Sequence, residues 1–271
     1  MERKNLKNTL IYTFLVLIGS TGYAQNSDSI SLSPKVKHME PLYIDLVRDL
    51  GARKGEKEFN LGSDFLNTNN YREYAVLAEY EFAPIDRLGL EIETDFSFYD
   101  KTNSESQIPE NKLDKLILSA QYSFFVSPKY QTTMAIGYAH EFELTDFNSY
   151  DSAKFVTGMV YKPFFVAAKK WGESFHTLIF TGPMMSHNFD ETYTSVDWQI
   201  NTSLHYNIPN THHFIGVEFN KEVVDSEFEM TMRPQLKLQL NEAFAVGLVA
   251  GFPIDNEKEK FSSFFRLIYE L

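Results

Sequence analysis

Glu79 and Glu81 alternate in one segment of the sequence, and Glu91, Glu93 and Asp95 alternate in the next. A spacing of two puts each set on a single face of an extended chain. Carboxylates gathered in this way raise one another's cost of ionisation unless cations lie close. The nearest cations in sequence are Arg48, Arg53, Lys54 and Lys57, and Arg233 and Lys237 share one face of a distant segment. The chemistry expected is therefore electrostatic: an acidic lumen wall, N-terminal cations laid against it, and a basic wall opposite. If the acidic wall dominates, such a lumen mildly prefers cations.

Other chemistries have weaker support. Ser186-His187-Asn188, with Asp190 and Glu191 nearby, holds the residue types of a nucleophile and its base, but in an order that matches no hydrolase motif. No catalytic residue is assigned, and an enzyme hydrolysing lipid or ester at an outer rim stands as the alternative. His212 and His213 are adjacent, so on an extended chain they point apart, and His205 lies eight residues from Asp197. No metal site is expected. Phosphate-binding and dinucleotide-binding loops are missing, so no cofactor is expected either. The chain has no Cys, which removes disulfides and thiolate ligands, and its formal net charge of −12 argues against nucleic acid.

These residues need elements to position them, and the sequence supplies strands. In 88–98, Leu88, Leu90, Ile92, Thr94, Phe96 and Phe98 alternate with Gly89, Glu91, Glu93, Asp95 and Ser97. That is a strand with one oily face and one charged face. The pattern returns in 116–124, 196–206 and 234–240. Strands are expected near 57–65, 71–83, 88–98, 113–126, 131–143, 153–168, 174–186, 193–208, 212–222, 228–240, 243–253 and 260–271. The connectors alternate between short turns, such as 84–87 and 127–129, and longer polar loops, such as 100–111 and 145–152. About twelve strands with this asymmetry read as an all-β, transmembrane, antiparallel up-and-down barrel in an outer membrane.

A lipid-facing wall uses the 24 Phe and 15 Tyr. A charged residue facing lipid near the midplane costs about 2–4 kcal/mol, so the face carrying Glu91, Glu93 and Asp95 must be the lumen. The competing fold is a soluble β-barrel or sandwich, with its oily face inward. The final strand alternates Phe261, Ser263, Phe265, Leu267, Tyr269 and Leu271, a pattern of the kind outer-membrane assembly machinery reads.

The N-terminus reads as a signal peptide over 1–24: Arg3, Lys4 and Lys7, an apolar run from Leu10 to Ile18, and small residues before Gln25. A segment over 25–55 follows, and the barrel over 56–271. Within that segment Pro41 suits a first helical position and Gly51 a position needing positive φ. Leu42, Leu46, Val47 and Leu50 make one apolar stripe, so a short amphipathic helix is expected, lying in or against the barrel mouth as a plug.

His38-Met39-Glu40-Pro41-Leu42-Tyr43-Ile44-Asp45, continuing through Leu46-Val47-Arg48-Asp49-Leu50-Gly51-Ala52-Arg53-Lys54-Gly55, resembles the signature of the HAEPLYID family of bacterial envelope proteins, with Met39 where that family has Ala. The resemblance implies shared architecture and transfers no site residues. A purine-biosynthesis name sometimes attached to that family, phosphoribosylformylglycinamidine synthase, finds no supporting motif here. The expected function is a passive outer-membrane channel or transporter for small hydrophilic solutes, with membrane lipid as its surroundings. The alternatives are a plugged structural barrel or the rim enzyme.

Overall fold

Each of the alternating segments becomes a strand in the computed structural model. It describes residues 32–44, 46–102, 108–151, 154–190, 193–224, 226–255 and 259–271. The expected signal peptide lies outside the described residues, as do residues 25–31 of the lead-in and Glu191. Among the described residues there are twelve strands: β1 Lys57–Thr68, β2 Tyr71–Ile85, β3 Leu88–Lys101, β4 Lys112–Ser127, β5 Thr132–Leu144, β6 Val156–Trp171, β7 Phe175–Asn188, β8 Ser195–Asn207, β9 Phe214–Val224, β10 Glu227–Gln239, β11 Phe244–Asp255 and β12 Glu259–Glu270.

Every strand pairs antiparallel with its sequence neighbours. β1 closes on β12 with Phe59 opposite Tyr269 and Leu61 opposite Leu267. Closure matters physically because it leaves no unpaired edge, which hydrocarbon cannot solvate. Between β6 and β7 the ladder opens around Pro163 and Pro183, where a missing N–H has no bond to give, and Gly182 lets the two backbones approach.

Side-chain orientation decides between the two barrels. Ile92, Leu118 and Phe265 are 47%, 44% and 44% exposed, whereas Glu79, Gln121, Asn201 and Arg266 are buried. The oily face points outward, the reverse of a soluble barrel, so the wall is built to meet lipid.

Three expectations need correction. No helix forms over 41–51 among the described residues, where the chain runs through bends and one turn. The loop asymmetry is also smaller than the connectors suggested. β9 and β10 extend until only residues 225 and 226 separate them, and β1 and β2 are joined by 69–70. Several strands, such as the 16-residue β4 and β6, exceed the roughly nine to eleven residues that crossing needs, and pairing consumes loop sequence. Lastly, the interior is not polar all round. Ala135, Phe164, Val166, Ala168, Leu178 and Phe180 form an apolar patch inside β5–β7, and Phe214, Ala245, Val249, Phe264 and Ile268 form a second inside β9, β11 and β12.

Candidate functional site

These inner apolar patches explain where the N-terminal segment goes. Leu46, Val47 and Leu50 pack on the first, Leu42 on the second, and all four are at most 4% exposed. The stripe is thus buried as its residue types require, but without helical hydrogen bonds. The backbone N–H groups are claimed by the wall instead. Leu42 N donates to Glu218 Oε1 at 2.9 Å and to Gln235 Oε1 at 2.8 Å, Tyr43 N to Glu218 Oε1 at 3.0 Å, and Ile44 N to Glu218 Oε2 at 3.1 Å. One buried carboxylate thus holds three successive amides, which a helix would have left to caps or to its own carbonyls.

Further on, Leu50 N donates to Glu40 Oε1, Gly51 N to Ser123 Oγ, and Gln121 Nε2 to Arg48 O. Gly51 does adopt positive φ, at 76°. The segment therefore spans the lumen, from β5 and β7 at His38 and Met39, past β9 and β10, to β3 and β4, all in the half of the barrel nearest the short turns.

The strand register shows why a cation is needed there. Glu270 stands opposite Glu58, Glu58 opposite Glu81, and Glu81 opposite Glu91, a row of four carboxylates across β12, β1, β2 and β3. Like charges directly opposite on a sheet destabilise it. Arg48, 2% exposed, sits on this row, its guanidinium 2.7 Å from Glu58, 3.0 Å from Glu270 and 3.5 Å from Glu81.

Of the four N-terminal cations, the structure brings Arg48 alone to the acidic wall. Arg53 Nε donates to the Ser33 carbonyl, while Lys54 and Lys57 are exposed. The wall itself is largely compensated. Glu79 accepts from Asn60 and lies 3.6 Å from Arg266, Glu91 accepts from Ser119, and Asp95 is 3.1 Å from Lys115, with Glu93 half-buried beside them. On the opposite side Arg233 donates to Asn220, lies 3.5 Å from Glu259 and stacks 3.8 Å from the Tyr43 ring. It is a contact to the N-terminal segment rather than an open basic wall. Lys237 lies half-buried on the same face of β10. Sequence reasoning missed Glu58, Glu218, Gln235, Arg266 and Glu270. The available signal was alternation, since each but Glu58, which follows Lys57, is the polar member between apolar neighbours such as Val217 and Phe219.

Among the described residues, Ser186 and His187 do not form a nucleophile–base pair. Ser186 and His187 are consecutive in β7 and so point to opposite faces, and the His187 ring lies against Phe189. His213 Nδ1 accepts from Gln239 N, and His205 Nε2 takes a hydrogen bond from Gln235, so both are tied into the barrel's own structure.

Two expected results follow from these contacts. A Cβ on Gly89 would lie 2.5 Å from Arg48 Cβ. Gly89→Val therefore pushes the segment off the wall, and pulsed proteolysis should cut within 33–56 much faster while the barrel stays folded. Unchanged cleavage would contradict the close approach. His38 is buried and hydrogen-bonded to Thr133 Oγ1. Burial first, then the nearby His176 and Lys170, hold its imidazole down at about 4, against the opposing pull of Asp49. An unseated His38 regains the ordinary value of 6.5, so between pH 6.5 and 4 only the unseated form takes the proton. Seating should weaken across that window by up to roughly 3 kcal/mol. The check is proteolytic protection of 33–56 from pH 7 to 4.5 in wild type and His38→Asn. A growing difference between them is expected, and parallel curves would refute it.

The segment leaves space beside it. A cavity of about 770 Å³ opens at the short-turn mouth between residues 35–40 and the β8–β9 and β10–β11 turns, and a polar one of about 40 Å³ lies against Arg48, Glu58, Glu81 and Arg266.

The barrel is similar to solved outer-membrane channels. An outer membrane channel from Pseudomonas putida F1 superposes with a TM-score of 0.65 at 12% identity, over 82% of this chain and 97% of that one. The KdgM porin gives 0.55 at 11% identity, over 79% and 99%. The KdgM porin in complex with disordered oligogalacturonate gives 0.52 at 11%, over 79% and 97%. Identities this low show a shared fold. No curated protein matches. The family model described as HAEPLYID-like does match, over residues 34–270, which takes in both the N-terminal segment and the strands it packs against. The chain belongs to the HAEPLYID-like family.

Proposed function

We propose that this protein is a passive channel of the outer membrane for small hydrophilic solutes, with residues 33–56 narrowing its periplasmic half. The observation that carries the reading is the inverted wall: apolar side chains outside and a ladder of Glu, Gln, Asn, Ser and Arg inside, with a cavity of mixed lining beside the segment. Twelve strands give a lumen between the filled eight-strand barrels and the open porins. The short turns belong on the periplasmic side, as is usual for such barrels. Outer-membrane lipid then surrounds the wall, and the alternation of Phe261, Phe265, Leu267 and Tyr269 suits recognition by the assembly machinery.

The extent to which residues 33–56 fill the inner half favours a second reading, a structural barrel that conducts nothing. Swelling of liposomes carrying the refolded protein separates the two. Entry of glycerol and pentoses, with exclusion of trisaccharides, is the expected result. No swelling with any solute, from a barrel shown to be folded, would support the structural reading.

A further inference from the structure

We propose that the cavity at the short-turn mouth is a binding site for a small solute bearing an oxyanion, a carboxylate or a phosphate ester, and that Lys237 receives its charge. The proposal deepens the channel reading and rests on it for the site's use, though not for the site's existence.

Lys237 stands on the inner face of β10, opposite Phe214 on β9 and Gly247 on β11. It lines both the large cavity and the small polar one, as Glu40 and Asp49 do, so the residue stands where the two meet. Every carboxylate facing that junction from the surrounding elements is already engaged. Asp49 of the N-terminal segment is 2.7 Å from Lys35, and Glu270 of β12 is 3.0 Å from Arg48. Glu40 accepts from Leu50 N, and burial together with the neighbouring Asp49 pushes its carboxyl up to about 8, which leaves it largely neutral and no rival for an anion. Glu58 and Glu81 on the deeper side belong to Arg48. Glu242, at the rim, is exposed to water.

Among the described residues Lys237 makes no hydrogen bond and no ion pair, although it is half-buried. Asp49, whose carboxylate Lys35 holds, is near enough to feel the Lys237 charge but forms no ion pair with it, so the half-buried ammonium keeps room for a further anion, and the low-dielectric walls strengthen the attraction over that of a surface lysine. The cavity is large enough for a sugar acid or sugar phosphate, with Asn210 and His212 at its margin for the hydroxyls. Lys37 also lines the cavity, on its exposed side. A solute arriving from either side would thus be held by its acidic group at the one point where the two cavities meet.

The test uses the mature chain refolded in detergent micelles, titrated calorimetrically with gluconate, glucose 6-phosphate and glucose. Binding of at least one of the two acids, and none of glucose at the same concentration, is expected. Lys237→Gln should weaken that binding tenfold or more. Lys237→Arg should largely keep it, and Lys129→Gln, exposed in the β4–β5 turn and outside the cavity lining, should change it less than twofold. The acid that binds identifies the source of the oxyanion. Heat-modifiable migration confirms that each variant is folded, and the Arg variant keeps the test open if the Gln variant is not. Absence of binding by both acids, equal binding of glucose, or insensitivity to Lys237→Gln would overturn the proposal. Acid binding that depends on Lys237 in a barrel that gives no liposome swelling would instead keep the site and defeat the channel reading.

Discussion

Replacing Arg48 with methionine frees residues 33–56 from the lumen while the twelve strands stay closed. The guanidinium faces Glu58, Glu81 and Glu270, which the register of β12, β1 and β2 places directly opposite one another. Removing one partner of a buried charge pair costs about 3–5 kcal/mol, because the charges left behind are uncompensated. Here that cost has a way out short of unfolding. If the segment withdraws, water enters and solvates the carboxylates, and the strand ladder, which Arg48 does not touch, remains. Hydrogen exchange should therefore show the amides of Leu42 and Gly51 losing protection by a factor of about 100 or more, with those of β1 and β12 unchanged. Arg48→Lys should fall between the two, since a single ammonium cannot reach three carboxylates as a planar fork does. Full protection of the segment in Arg48→Met would show that the apolar stripe alone holds it.

Much of this arrangement was legible because two signals survive in a single sequence. Period-two alternation fixes which side chains share a face, so Glu79, Glu81, Glu91 and Asp95 fall together without any knowledge of pairing. The apolar stripe of Leu42, Leu46, Val47 and Leu50 likewise marks a buried face. What alternation cannot give is register. The row Glu270–Glu58–Glu81–Glu91 exists only once β12 meets β1, more than 200 residues apart in the chain, and the need for Arg48 follows from that row.

The helix was misread for a related reason. The spacing of leucines and the marks at Pro41 and Gly51 fit a helix, but three amides found a better acceptor in Glu218, on a strand about 175 residues away. Tertiary hydrogen bonding overrode local propensity. Inner apolar positions such as Val166, Phe180 and Leu178 were hidden because β6 and β7 are apolar on both faces, which blurs the period by which strands are oriented.

Removing residues 33–55 altogether should have the largest effect on the lumen. The segment contributes Leu42, Leu46, Val47 and Leu50 to its interior, together with Arg48, the cation of the carboxylate row. Without it the inner half fills with water, and Glu58, Glu81, Glu91 and Glu270 face the pore with one fewer positive charge among them. The opening should become wider and more selective for cations, since fixed carboxylates concentrate counter-ions within a Debye length of about 10 Å at 0.1 M salt.

Single-channel recording in a planar bilayer, with the chain from residue 25 onward beside the same chain lacking 33–55, therefore tests most directly whether this segment sets the conductance of an outer-membrane pore. Small steps from the chain that keeps the segment and severalfold larger ones from the truncated chain are expected, with the reversal potential moving towards that of the cation. Equal steps from both, or silence from both with each barrel shown to be folded, would contradict a channel narrowed by its own N-terminal segment.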